Sequence, residues 1–365
     1  MRIPAEERLA EQRVVYKWRR SRAAAGAART LQLDLFVLDS HNLCLVFLQQ
    51  CKRVLSCTLL VLSIAGATCS SADRIAAAGV CTACIRGNLD YLAGPELRGR
   101  GSGTVDEHHA AQYVARKLKE YGLASAAGSA SYIQTANTTS RGGRIHHTWN
   151  VLAKIEGASQ RDQIILLSAH LDHLGTRNGK VYPGADDDAS GTVAVMELAR
   201  TLAKEPPPRR TVVFALWGSE EAGLLGARYF LKHPTFDLHR IVANLEFEMI
   251  GRADPMLKPE QLWLTGWERT NLGPELARHG AQLVGDPHPQ QNFFTRSDNY
   301  ALARDGIIAQ TVSSYGLHKD YHQPTDTPNR INWQHLDSAI GSMIAPIDWL
   351  ANSSFAPQWN AGQRP

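Results

Sequence analysis

Between residues 110 and 123 the apolar positions recur at helical spacing: Tyr113, Val114, Leu118 and Tyr121 share one side, and Gly122 supplies a stop. The segments "NVLAKIEG" and "QIILLSAHLD" that follow are short, rich in β-branched residues and bounded by turn formers, which is the pattern of strands. A helical stretch over 189–205 closes at the proline run 206–208, and "TVVFALWGSEE" over 211–221 predicts a buried strand. "LLGARYFLKH" predicts a helix, "RIVANLEFEMIG" over 240–251 a strand, and 273–283 and 297–306 two further helices. "IIAQTVSS" reads as a strand, and the last apolar segment, from Trp333, as a helix that Pro346 is expected to bend. Strands alternating with helices of about 10 to 15 residues predict an α/β fold, a mainly parallel mixed sheet sandwiched between helices. Ligands of such sheets bind outside the carboxyl ends of the strands.

Composition adds limits. The 365-residue chain is 44% hydrophobic and 20% charged, ordinary values for a globular protein with a sizeable core. Its formal net charge of +4 is a property of the first 72 residues, which hold 10 Lys and Arg against 5 Asp and Glu; the remainder holds 29 against 30. A near-neutral body argues against nucleic acid or an anionic membrane as partner. All six cysteines, Cys44, Cys51, Cys57, Cys69, Cys81 and Cys84, precede residue 85, which excludes a disulfide framework or thiolate metal ligands in the main fold. "CTAC" is a lone CxxC, read as an incidental pair or a local disulfide.

Residues 51–72 have the order of a secretory signal peptide: Lys52 and Arg53, an apolar run from Val54 to Ala67, then small residues ending at Ala72. The run is shorter than the roughly 20 residues of a membrane-spanning helix. Gly66 stands where a lipid-attachment signal for Cys69 would want Leu, so cleavage near Ala72 and export, secreted or periplasmic, are expected over a lipid anchor. Residues 1–50, Arg- and Ala-rich with no core pattern, are expected to be a non-structural extension or the product of a start placed too far upstream. Residues 73–365 are expected to form a single domain.

The chemistry lies at the strand ends. His170, Asp172 and His173 follow "IILLSA"; Gly218, Ser219, Glu220 and Glu221 follow "VVFALW"; Glu248 ends "IVANLEFE". Asp186, Asp187 and Asp188 precede a helix, and His318, Asp320, His322 and Asp326 share a Pro-containing loop. An acidic triplet alone suits a solvated helix N-terminus. Four segments of imidazoles and carboxylates at one predicted sheet edge instead point to divalent cations, two of them if one short carboxylate bridges. Asp172, two residues beyond His170, faces the same way on a strand and is placed to hold that ring's second nitrogen. Of the adjacent Glu220 and Glu221, one suits a ligand and the other a general base.

"SAHLDHLG", "GADDDASG", "WGSEEAGLLGARYF", "NLEFEMIG" and "YHQPTDT", in this order, resemble the co-catalytic zinc aminopeptidases of the M28 peptidase family, bacterial leucyl aminopeptidases among them. The resemblance runs over about residues 88 to 350 and includes "LAGPELRGRGSGT". It implies a zinc-exopeptidase fold and two Zn2+ ions, with Co2+ or Mn2+ as substitutes. One ion would be held by His170 and Glu248 and the other by Glu221 and His322, with Asp186 as the bridge. It further implies Glu220 as the general base that activates water, Asp172 as the residue orienting a ligand, and a cis peptide between Asp186 and Asp187. Asp187 and Asp188 are expected to shape the loop, and Asp326 to orient His322.

Glu248 replaces the Asp of many relatives, Asn299 stands where relatives often have His, and 104–150 is too short for an inserted protease-associated domain. His173 and His318 suit structural or functional roles equally, while the pairs His108-His109 and His146-His147 suit the surface. Phe293, Phe294, Arg296, Tyr315 and Lys319 are candidates for the substrate pocket. The expected reaction is hydrolysis of an N-terminal peptide bond in peptide substrates. The rivals are a carboxypeptidase, for which Arg296 and Lys319 would bind the substrate carboxylate, a glutaminyl cyclase, and a non-catalytic binding protein on the same fold.

Overall fold

The computed structural model describes residues 79–139 and 145–365. The expected extension over 1–50 and signal peptide over 51–72 lie outside the described residues, as do four of the six cysteines and the side chain of His146. Among the described residues eleven strands occur, in the order β1 (Ala124–Ser125), β2 (Ile133–Thr139), β3 (Ile145–Ile155), β4 (Gln160–His170), β5 (Gly175–Arg177), β6 (Lys180–Tyr182), β7 (Arg210–Trp217), β8 (Ile241–Phe247), β9 (Leu262–Leu264), β10 (Leu283–Gly285) and β11 (Ala309–Ser313). The helices are α1 (Thr82–Leu92), α2 (Val105–Glu120), α3 (Gly191–Leu202), α4 (Leu225–Lys232), α5 (Leu272–Arg278), α6 (Asp298–Arg304) and α7 (Trp333–Asn352).

Nine strands form one sheet in the order β1-β3-β7-β4-β8-β11-β9-β10, with β2 also paired to β3; β5 and β6 form a separate hairpin. Its centre, β7-β4-β8-β11, is entirely parallel, while β3 joins β7 and β9 joins β11 antiparallel. This is the predicted helix-sheet-helix architecture. Alternation along the central strands divides the core. Ile165, Leu167 and Ala169 of β4 pack with Leu89 of α1, Val114 of α2, Val195 of α3 and Ile340 of α7. Ile164 and Leu166 pack on the opposite face with Phe230 of α4 and Leu302 of α6. Every residue of β7 is buried, as a strand covered on both faces requires.

The helices start where their sequences say. Thr104 caps α2 through its hydroxyl, which accepts the amide of Glu107 at 3.4 Å; acidic residues occupy the first turn and Lys117 and Lys119 the last. α7 continues through Pro346, with the proline ring buried. Cys81 and Cys84 are joined as a disulfide at the start of α1, the local pairing anticipated for this CxxC. Among the described residues no helix is long and apolar enough to cross a membrane.

Candidate metal centre

The four parallel strands deliver their carboxyl ends to one edge. β4 ends on His170, β7 leads into Ser219-Glu220-Glu221, β8 into Glu248, and β11 into the loop carrying Tyr315 to His322. The aspartate triplet lies in an irregular turn over Ala185–Ser190 that opens α3. Ser219, Met249 and His322, which flank or belong to these segments, all have positive φ, a conformation non-glycine residues adopt where the surroundings enforce it.

Two groups of potential ligand atoms share one residue. His170, Asp187 and Glu248 place a nitrogen and two carboxylate oxygens within 4.8 Å of one another, and so do His173, Asp187 and Glu221. His170 Nε2 lies 3.1 Å from Asp187 Oδ1, whereas His322 Nε2 lies 3.1 Å from Asp187 Oδ2 and 3.1 Å from Glu221 Oε1. The two oxygens of Asp187 thus face two different sets of side chains. His170 Nε2, Asp187 Oδ2 and Glu221 Oε1 are buried without a hydrogen-bond partner, although they lie this close to one another's groups. Buried polar atoms left so are costly unless something binds them, and imidazole with carboxylate is a donor set for zinc and similar divalent ions. The residues fit the expected ions.

The triplet is shifted by one residue from the expectation. Asp186, expected to bridge, turns away: Oδ1 accepts the amide of Gly251 at 2.7 Å and Oδ2 lies 2.8 Å from His318 Nε2. Asp187, expected only to shape the loop, holds the shared position. Asp188 does shape the loop, accepting the amides of Gly191 at 2.9 Å, Met249 at 3.1 Å and His170 at 3.3 Å. The cis peptide joins Asp187 and Asp188, one residue beyond the expected bond.

Two orienting roles also change. Asp172 Oδ1 is 3.8 Å from His170 Nδ1, too far for a hydrogen bond, because the carboxylate accepts the amide of Glu220 at 2.8 Å, that of Glu221 at 3.3 Å and the hydroxyl of Ser102 at 2.5 Å. It fixes the two glutamates, not the imidazole. Asp326 does not reach His322; it accepts the amides of Asp186 at 3.0 and 3.1 Å and of Asp187 at 3.1 Å. The His322 loop is held instead by Asp320, which pairs with Arg252 at 2.8 Å and accepts the Thr325 hydroxyl at 2.6 Å; these hydrogen bonds hold its carboxyl down at about 2.

Arg100 belongs to the site and is the residue that sequence reasoning missed. Its fully buried guanidinium donates to the carbonyls of Gly184 at 2.6 Å, Leu171 at 2.9 Å, Leu92 at 3.3 Å and Asp187 at 3.5 Å, and also to that of Pro183. It ties the aspartate turn to the end of β4. Burial pulls its basicity down, while Asp187, Asp188, Asp172 and Asp326 favour the cation. The only sequence signal was its place between glycines in "RGRG". Gly184, with φ +60°, admits the turn: a Cβ there would collide with the His173 ring and the Asp187 carbonyl.

The adjacent glutamates have opposite electrostatics. Burial, then the carboxylates of Asp298, Glu221 and Glu248, push Glu220 well above the usual carboxylate range, against the attraction of His170. Burial and Asp187 act the same way on Glu221, but His173 and His322 outweigh them and hold it at about 2. Two neighbouring acids driven apart are the pattern of a proton-transfer group beside a permanent anion.

Beside these groups opens a cavity. Met249, Trp263, Phe293, Tyr315 and Tyr321 give it an apolar lining, and Glu220, Glu221, Glu248 and His322 a charged one. Arg296 lies over the Phe293 ring at 4.8 Å and reaches the Tyr321 hydroxyl at 3.3 Å. Phe293, Arg296 and Tyr315 line this cavity. Phe294 points to the other side of its turn, against Leu302 and under Arg269, and Lys319 is exposed away from the lining.

The sequence matches "Peptidase family M28" over residues 150–346. Leucine aminopeptidase 2 of Arthroderma otae is 29% identical over an alignment 291 residues long that covers 72% of this chain and 56% of that protein, so the chain spans little more than half its length. The fold is similar to that of BSAP, a zinc aminopeptidase from Bacillus subtilis, with a TM-score of 0.61 at 15% identity over 75% of this chain and 96% of that one. It is also similar to a glutaminyl cyclase from Porphyromonas gingivalis, with a TM-score of 0.59 at 17% identity over 74% of this chain and 99% of that one. The family match extends over more than half of the sequence and takes in His170, Asp187, Glu220, Glu221, Glu248 and His322, and with it the chain belongs to peptidase family M28.

Proposed function

We propose that the protein is a metal-dependent aminopeptidase that hydrolyses N-terminal peptide bonds with two divalent ions, zinc by family precedent and replaceable by Co2+ or Mn2+. His170, Asp187 and Glu248 would hold one ion, and Asp187, Glu221 and His322 the other. The observation that carries this reading is the division of Asp187, whose Oδ1 faces His170 and whose Oδ2 faces His322. When bound, such ions polarise a peptide carbonyl and acidify water.

The remaining work falls to the protein. Glu220 accepts the proton of the attacking water and returns it to the leaving amine as the C–N bond breaks. Asp172 keeps Glu220 and Glu221 in register by accepting both of their amides. The aromatic wall takes the side chain of the N-terminal residue, which favours bulky apolar residues there. Cleavage of leucine p-nitroanilide but not its N-acetylated counterpart, abolished by a chelator and restored by zinc, is the expected result. Equal cleavage of both would overturn the aminopeptidase assignment.

A carboxypeptidase is the second reading, favoured by Arg296, which lies on the cavity with no carboxylate within ion-pair distance among the described residues. Residues 73–365 as one catalytic domain, and export directed by 51–72, complete the proposal; N-terminal sequencing of protein recovered from the growth medium or periplasm tests both.

A further inference from the structure

Resting on the two-ion reading above, we propose that His173 is a fourth protein ligand of one ion. With Asp187, Glu221 and His322 it completes a closed site, leaving the side formed by His170, Asp187 and Glu248 as the open, catalytic one.

The His173 ring is fully buried, and neither of its nitrogens has a hydrogen-bond partner. Its Nδ1 lies 3.0 Å from Glu221 Oε1 and 3.8 Å from Asp187 Oδ2, the same two oxygens that lie 3.1 Å from His322 Nε2. Glu221 Oε1 and Asp187 Oδ2 likewise lack partners. At 3.0 Å from Glu221 Oε1 a hydrogen bond fails only through direction, the ring N–H not pointing along the line to the oxygen, and at 3.8 Å from Asp187 Oδ2 it fails by distance. Nitrogens of both imidazoles therefore lie against the same two carboxylate oxygens. An ion with metal–ligand bonds of about 2.0–2.1 Å in tetrahedral geometry spaces its ligands about 3.3 Å apart, and the four nitrogen–oxygen separations here are 3.0, 3.1, 3.1 and 3.8 Å.

The backbone places the ring there independently of any ion. His173 donates its amide to the Arg100 carbonyl at 3.2 Å and accepts the Ser102 amide at 3.3 Å, and Gly184 packs directly against the imidazole. The ring edge meets His322, with centroids 5.7 Å apart at 69°. Four protein ligands leave little room for solvent on an ion, whereas three leave a position free; this is the usual division between structural and catalytic zinc. Glu220, Glu221, Glu248 and His322 all line the cavity, so ligand number, not access, divides the two sites.

The test is binding, read apart from activity. The full chain, stripped by chelator dialysis, is titrated with Zn2+ and, for its absorption spectrum, with Co2+. Native protein should bind one ion tightly and a second more weakly. His173→Phe, which keeps the ring volume, should weaken the tight step by about tenfold or more and alter the Co2+ spectrum. His173→Asp, which returns an oxygen at the reach of Nδ1, should restore the step and serves if the Phe variant does not fold. Two ions bound by His173→Phe with native affinities, or loss of the tight step in a folded His173→Asp protein, would overturn the proposal and leave the two-ion reading intact. A single ion bound by the native chain and lost in His173→Phe would uphold His173 as a ligand while sinking the two-ion reading.

Discussion

The carboxylate of Asp326 accepts the backbone amide of Asp187 at 3.1 Å, across 139 residues of sequence. The same carboxylate accepts the amide of Asp186, and from the other side Arg100 donates to the carbonyls of Gly184 and Asp187. The aspartate turn is thus gripped by an anion on its amides and a cation on its carbonyls. This grip, not any property of the three side chains, selects which aspartate faces the imidazoles.

Exchanging the aspartates for asparagine one at a time should separate their roles. Asp187→Asn should lose stoichiometric binding of both ions, because both sets of ligands include this carboxylate. Asp186→Asn should keep both ions and lose about 10- to 100-fold in affinity, as expected of a residue that acts on the site through His318 and the Gly251 amide. Equilibrium dialysis with elemental analysis distinguishes the two. If Asp186→Asn lost both ions and Asp187→Asn neither, the bridge would revert to Asp186.

Glu220→Gln should retain both ions and lower kcat by about 10²–10⁴-fold with little change in KM, the usual contribution of a positioned general base. Steady-state kinetics beside metal analysis on the same preparation checks this. Full activity in the variant would assign proton transfer to another group.

The central strands were legible because each is a run of apolar residues long enough to stand out, and β4, β7 and β8 occur where those runs do. The short strands β1, β9 and β10 carry two or three residues each, too few for a period to appear. The site was legible as a set of segments but not to the residue. Three consecutive aspartates are identical to any pattern, and the contacts that orient them come from Arg100 and Asp326, distant in sequence. Phe293 and Phe294 show the same limit: adjacent and alike, they pack into different clusters because a tight turn points them apart. His173 gave no signal beyond its presence in a motif, since its partners are assembled only by the fold.

Arg100→Met should destabilise the metal-free protein by at least about 3 kcal/mol, since it strips charged hydrogen bonds from several buried carbonyls at once. Arg100→Lys should recover only part, because an ammonium has three donors and no planar fork to span Gly184, Leu171 and Leu92. Urea unfolding of the chelator-treated proteins measures both. Equal stability of all three would mean that the turn is held without the guanidinium.

Glu107 predicts a pH dependence of stability outside the metal ligands. Burial, then the nearby Asp172 carboxylate, push its carboxyl up to about 8, against hydrogen bonds from the Thr148 hydroxyl, the Gly103 amide and the Ser219 hydroxyl. In the unfolded chain the same group titrates near its ordinary value of 4.5. Between these values the folded protein keeps a proton that the unfolded chain has released. The contribution of Glu107 is therefore fully present below about pH 4.5 and is lost as pH rises toward 8, with a slope approaching 1.4 kcal/mol per pH unit in the middle of that window. Glu107→Gln cannot ionise and fills the same space, so its stability relative to the native protein should improve steadily from pH 5 to pH 8 and level off above. Urea denaturation midpoints across this range, with metal held constant, measure the difference. A difference between the two proteins that did not change with pH would show that Glu107 is ionised in the fold, with its charge carried by the Thr148, Ser219 and Gly103 donors alone.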